Sequence, residues 1–293
     1  MAFTPSQQTS TPTLDALAPA DMAAKAEAVG IKKATSSASQ LFALALLAGA
    51  FIALGAIYYT IAVSDAGSLP YGVQRILGGV AFCLGLVLVI VGGAELFTGN
   101  SLMVMAWASR KITAGQLLRS WAIVYLGNFV GSVLTALIVF LGAQYRSADG
   151  AVGLAALSIA NSKCDLAFIP ALAQGIMCNV LVCMAVWLCF SARTTTDKIA
   201  AILFPISAFV AAGFEHSVAN MYFIPMGLFI KQLDPNVYQL KAFLEAGKTA
   251  ADYTALTWGN LFLRNLIPVT LGNIIGGALV VGGIYWFIYL RKK

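Results

Sequence analysis

The chain has 293 residues, 60% of them hydrophobic and only 10% charged, where a soluble domain carries about 25% charged residues. Folded in water it would be covered in apolar surface, so a soluble enzyme, a disordered chain and a nucleic-acid binder are excluded and the natural solvent is a bilayer. The net charge of +6 then reads as an orientation signal rather than a nucleic-acid footprint.

In chain order, residues 1–33 form a polar N-terminal segment carrying Asp15, Asp21 and Glu27, without the apolar stretch of a secretory signal. Within it, Pro19-Ala20-Asp21 followed by Met22–Val29 and Gly30 has helix start and stop signals. This predicts a short amphipathic helix on the membrane surface; a frayed tail is the other reading. The charge-free runs that follow are 34–64, 76–94, 96–109, 120–145, 166–192, 199–214, 216–230 and 265–290. A spanning helix needs about 20 apolar residues. Four runs suffice alone; the short ones pair across Glu95 and across Glu215. The expectation is an all-α membrane protein, with a channel domain at 34–290 built of six transmembrane helices. The second and fifth helices are broken, and 291–293 form a short tail.

Trp107, Trp121, Trp187, Trp258 and Trp286 fall near span ends and are expected as interfacial anchors. The five cysteines have no metal or disulfide spacing and read as apolar filler. Six spans put both termini on one side. Eleven of the 18 basic residues lie on that side and seven on the other, so both termini are expected in the cytoplasm.

Two motifs recur. Gly93-Ala94-Glu95-Leu96-Phe97-Thr98-Gly99-Asn100 aligns with Gly213-Phe214-Glu215-His216-Ser217-Val218-Ala219-Asn220, both G-x-E-x-x-x-x-N. Leu126-Gly127-Asn128-Phe129-Val130-Gly131 aligns with Leu271-Gly272-Asn273-Ile274-Ile275-Gly276 in the same order. Two copies of one unit, at about 34–143 and 166–290, each with three spans, must be inverted relative to each other. A helix break in hydrocarbon frees backbone groups that must be satisfied. Glu95 and Glu215 are therefore expected to hold the loops by accepting hydrogen bonds from the freed amides; a direct place in the permeation path is the alternative. Half-helices beginning near Asn100 and Asn220 would aim positive dipole ends at the midplane and favour a small anion or neutral solute. At the positions matching Thr98 and His216 the other repeat has Val218 and Leu96, so the halves agree on scaffold and differ at these two. His216 is the single histidine, and an ionisable group at depth is functional by default.

The motifs at 95–100, 213–221 and 271–273 resemble the signatures of the formate/nitrite transporter family. Met221–Met226, Asn265–Asn273 and Tyr285–Arg291 look most like its formate channels, and Thr98-Gly99-Asn100 resembles its nitrite channels. The resemblance implies an aquaporin-like fold and a homopentamer with one pore per protomer. Thr98 and His216 would face each other at the pore centre, with Asn179 and Asn273 beside them and Lys163 at the outer vestibule. Phe82, Leu86, Val182 and Phe209 would form apolar constrictions. Glu95, Glu215, Asn100 and Asn220 would stabilise the loops, and the N-terminal helix would touch the inner mouth and gate it at low pH.

The expected function is a bidirectional, pH-gated formate channel of a bacterial inner membrane, with nitrite or hydrosulfide as the alternative solute and no cofactor, metal or nucleic acid. A water channel is disfavoured because paired Asn-Pro-Ala motifs are missing. A membrane enzyme is disfavoured because only Glu95, Glu215 and His216 are ionisable at depth.

Overall fold

The computed structural model describes residues 15–64 and 69–291. Residues 1–14 of the expected N-terminal segment, and Lys292 and Lys293 of the expected tail, lie outside them. The chain is helical: α1 (Pro19–Thr35), α2 (Ala38–Val63), α3 (Tyr71–Gly92), α4 (Val104–Ala108), α5 (Ala114–Leu141), α6 (Ala151–Cys164), α7 (Phe168–Ser191), α8 (Thr195–Ala212), α9 (Ser217–Leu233), α10 (Lys241–Glu245), α11 (Trp258–Asn260), α12 (Ile267–Ile274) and α13 (Ile284–Tyr289). A 3₁₀ turn at Gly99–Met103 leads into α4, and wider π-type windings at Leu261–Leu266 and Ile275–Gly283 join α11, α12 and α13 into one rod. Among the described residues, six helical stretches are long and apolar enough to cross a membrane: α2, α3, α5, α7, α8 and the final rod.

α9 is the element around which the others close. Thirteen of its 17 residues are buried, and a helix apolar on every side belongs inside protein. It packs against α2, α5 and α6. α1 packs against α13, so the two described ends of the chain share a face, called here the near face.

The helix crossings are set by glycine. α2 meets α5 where Gly127 and Gly131 lie on the carbonyl oxygens of Phe42 and Leu46. α7 meets α12 and the winding that follows it where Gly272 and Gly276 lie on those of Leu172 and Ile176. Without a hydrophobic force between helices in lipid, close backbone approach over small residues is what holds them. A Cβ at Gly131 or Gly276 would run into backbone that cannot swing away. Gly131→Leu and Gly276→Leu should each cost about 3 kcal/mol or more, read as loss of protein surviving a heat challenge in detergent. Gly72, with nothing within 4 Å of its Cβ position, should accept alanine without effect; equal tolerance at all three sites would contradict the packing argument.

Three sequence expectations change. The N-terminal helix does not stop at Gly30 but runs to Thr35, because Gly30 sits where α1 touches α4, with a Cβ there only 3.1 Å from that of Ala106. It is a packed element rather than a frayed tail: Met22, Ala23 and Ala26 are buried, and Lys25 donates to the Phe190 carbonyl at 2.8 Å. Burial first, then the nearby charges of Arg193 and Lys198, hold the Lys25 pKa below its ordinary value. Second, the chain has a helix, α6, that the sequence does not signal, since its 14 residues are too short to stand out as a span. Third, Trp187 is no interfacial anchor: it is buried and stacks on Tyr285 with ring centroids 4.1 Å apart. Trp121 likewise turns inward and donates to the Asn100 carbonyl at 3.0 Å.

Candidate functional site: a septum between two cavities

α3 ends where Gly93 takes the left-handed conformation at φ 80°, and α8 ends where Gly213 does so at φ 78°. The loops that follow are held by one asparagine each. Asn128 Oδ1 accepts from the Phe97 amide at 2.9 Å, and its Nδ2 donates to the carbonyls of Ala45 (2.7 Å) and Glu95 (2.9 Å). Asn273 Oδ1 accepts from the Ser217 amide at 3.0 Å, and its Nδ2 donates to Gly175 (2.8 Å) and Glu215 (3.0 Å). A primary amide has both acceptor and donors on one small group, so one side chain serves both needs of an opened backbone.

The carboxylates have other partners than expected. Glu95 Oε2 accepts from Asn100 Nδ2 at 2.8 Å and pairs with Lys33 Nζ at 3.0 Å. Lys33 also donates to Asn100 Oδ1 at 2.6 Å. Glu215 accepts from Asn220 (2.6 Å), Asn265 (3.1 Å) and Lys163 (2.7 Å). Neither carboxylate takes a backbone amide among the described hydrogen bonds; the asparagines at 128 and 273 do that, and the glutamates organise side chains instead. The glutamate, the asparagine five residues on and a lysine form the same triad in both loops. Lys33 and Asn265 were not singled out from sequence. A signal existed for Lys33: it precedes Ala45 by the same interval that separates Lys163 from Gly175.

Between the loops, Thr98 Oγ1 and His216 Nε2 stand 3.1 Å apart, and both residues are buried. His216 also caps α9, its Nδ1 accepting from the Ala219 amide at 3.1 Å. That cap is why α9 starts at Ser217, earlier than Asn220. With Nδ1 an acceptor, the ring proton of the neutral imidazole sits on Nε2 and points at Thr98. Asn179 braces the arrangement from behind: its Nδ2 reaches the carbonyl of Asn273 at 2.6 Å and that of Thr98 at 3.2 Å. Asn179 and Asn273 therefore hold backbone and line neither cavity.

Two cavities approach this centre. One, of about 300 Å³, opens on the far face and is lined by Phe82, Lys163, Phe209, Glu215, His216 and Phe223, among others. The second, of about 230 Å³, opens on the near face beside α1, with Lys33, Val89, Glu95, Asn100, Val186 and Phe190 in its wall. Leu86 and Val182 line neither and are 2% and 1% exposed. On α3, Phe82 belongs to the first cavity and Val89 to the second, so Leu86 lies between them in the septum, about 10 Å thick at 1.5 Å per residue. Val182 has the same place on α7, between Gln174 and Val186. Phe209 meets Phe82 edge-on at 5.8 Å and stacks on His216 at 5.9 Å. Phe223, missed in the sequence, lies under Lys163 Nζ at 5.5 Å and stacks on Phe82. The geometry is two cavities, each with a lysine–glutamate pair in its wall, separated by a buried septum that holds Leu86, Val182 and Thr98, with His216 at its far-cavity surface.

A family model described as formate/nitrite transporter matches residues 20–287. The formate channel FocA of Escherichia coli (strain K12) is 44% identical over 279 residues, covering 95% of this chain and 96% of that protein. The formate channel FocA of Haemophilus influenzae is 39% identical over 268 residues, covering 91% and 93%. A solved structure, a pentameric formate channel with formate bound, matches with a TM-score of 0.80 at 44% identity, covering 87% of this chain and 98% of that one.

Proposed function

Because this chain belongs to the formate/nitrite transporter family, we propose that it is a homopentameric formate channel with one pore in each protomer, running from the far vestibule through the Thr98–His216 septum to the near vestibule. The observation that carries this reading is the septum itself, a wall too apolar for an ion and broken by one hydroxyl and one imidazole. Stripping a bare carboxylate of water costs several kcal/mol. Protonating a carboxylate of pKa ~3.9 near pH 7 costs about 4 kcal/mol. The two are comparable, so formate crosses the septum as the neutral acid or as an anion neutralised in passing. His216 Nε2–H offers the arriving oxygen the hydrogen bond now made to Thr98. To pass that proton on, Nδ1 must first release the Ala219 amide and take a proton from the far vestibule, so that the ring ends as neutral imidazole. The family is one of transporters, and no chemical conversion is invoked.

The halves are inverted repeats in this reading, and the breaks after α3 and α8 are the two interrupted spans. Supporting it are the matched roles of Asn128 and Asn273, of the two triads, and of the paired glycine crossings. The pairing of Lys33 with Lys163 extends the repeats past their expected starts to take in α1 and α6. α1 would then gate the near vestibule, whose wall it forms. Phe82, Leu86, Val182 and Phe209 are the constriction. Nitrite is the second reading, favoured by Gly99-Asn100 after Thr98. Side-by-side flux of formate, nitrite and hydrosulfide into liposomes decides: formate should be carried fastest, and a tenfold preference for either other solute would displace it.

The bias of basic residues favours the near face in the cytoplasm, and we read the protein as one of a bacterial inner membrane. A cysteine at exposed Ala114 should then resist an impermeant maleimide in intact cells, and one at exposed Glu245 should react. The native thiols are all buried and give little background. The reverse labelling pattern overturns the orientation.

A further inference from the structure

The far vestibule does not end at its own mouth. A second hollow of about 260 Å³ adjoins it, walled by Tyr71, Gln74, Ala155 and Ser158, and the two share Tyr59, Arg75 and Ile159. Arg75 stands at the junction as the one cationic side chain common to both. Its guanidinium is clamped. Nε donates to the Ala211 carbonyl at 2.9 Å, Nη2 to the Val210 carbonyl at 2.7 Å and Nη1 to Tyr59 Oη at 3.3 Å. All three acceptors are neutral. Among the described residues Arg75 has no carboxylate within ion-pair distance, whereas Lys163 is matched by Glu215 at 2.7 Å. Among the described lining residues, the Lys163–Glu215 pair cancels and the remaining positive charge is that of Arg75.

A guanidinium has five N–H donors. Three are used, leaving one on each terminal nitrogen, a fork that matches the two oxygens of a carboxylate. Tyr59 Oη accepts from Arg75, so its own hydrogen is available to the same anion. We propose that Arg75 and Tyr59 form an outer capture subsite for a small monovalent carboxylate, where it is held as an anion before it reaches Lys163 and the septum. This rests on the formate-channel reading and adds a step to it. The competing role for Arg75 is purely structural, as a clamp on the last carbonyls of α8.

The two roles separate by face. A capture site acts on solute arriving from the far side; a clamp on α8 acts on the pore as a whole. With channel inserted in one orientation in liposomes, formate flux is measured against concentration from each face, at low and high salt, for wild type, Arg75→Gln, Arg75→Lys and Tyr59→Phe. For Arg75→Gln, the half-saturating formate on the far face should rise about tenfold at low salt, with the near-face value unchanged. High salt should narrow that gap. Arg75→Lys should recover part of the loss and Tyr59→Phe should show a smaller rise. Equal changes from both faces, or a fall in maximal flux with unchanged half-saturation, make Arg75 a structural clamp and overturn the proposal. If Arg75→Gln fails to assemble, Tyr59→Phe carries the test, and a far-face half-saturation equal to wild type overturns it. Wild type that carries no formate at all would instead defeat the function on which the subsite rests.

Discussion

Replacing His216 by asparagine should nearly abolish the pH dependence of formate uptake while leaving a folded, assembled protein. Asparagine suits this test because its Oδ1 can take over the cap of α9, accepting from the Ala219 amide as Nδ1 now does at 3.1 Å. What it cannot supply is a transferable ring proton. If His216 delivers protons to formate, flux in the acid limb should fall by about 100-fold, the usual size of a general-acid contribution. Flux driven by an anion gradient should fall less, since Lys163, Lys33 and the half-helix ends remain. Thr98→Val, which removes the hydroxyl 3.1 Å from Nε2 at nearly constant volume, should weaken both directions by similar factors. The measurement is formate flux against pH in liposomes. Superimposable curves for wild type and His216→Asn would make the histidine a helix cap and nothing more.

Glu215→Gln should be the most damaging single substitution in the loops. Glu215 side-chain exposure is 5% and that of Lys163 is 16%, so removing the carboxylate strands a mostly buried ammonium at a cost of about 3–5 kcal/mol. It also weakens the acceptor shared by Asn220 and Asn265. Assembly in detergent should collapse at temperatures the wild type survives. Adding Lys163→Met to the same protein should restore much of the loss, because a buried pair replaced as a unit is tolerated far better than one broken. Glu95→Gln should cost less, since Lys33 is 25% exposed and water can take up part of its charge. A Glu215→Gln protein as heat-stable as wild type, or a double variant worse than the single, would show that the pair does not carry the loop.

The six spans were legible because partition into lipid depends on the local run of side chains and little else; the charge-free stretches mark α2, α3, α5, α7, α8 and the final rod, though α5 begins at Ala114 and the rod at Trp258, before the runs at 120 and 265. The repeated G-x-E-x-x-x-x-N and L-G-N motifs pointed to Glu95, Glu215, Asn128 and Asn273, and the lone histidine at depth pointed to its own position. Partners were another matter. Thr98 and His216 are 118 residues apart in the chain, and Arg75 and Val210 are 135 apart. That Glu95 holds Lys33 rather than amides, that Asn128 takes the amide instead, and that Phe223 lies beneath Lys163 follow from how helices cross over glycine. So does the packing of α1, whose polar run reads as a surface tail until the groove beside α4 is there to receive Met22 and Ala26. A side chain's burial cost is set by its own chemistry and can be read one residue at a time. The group that compensates it is chosen by three-dimensional proximity, which exists only once the helices have packed.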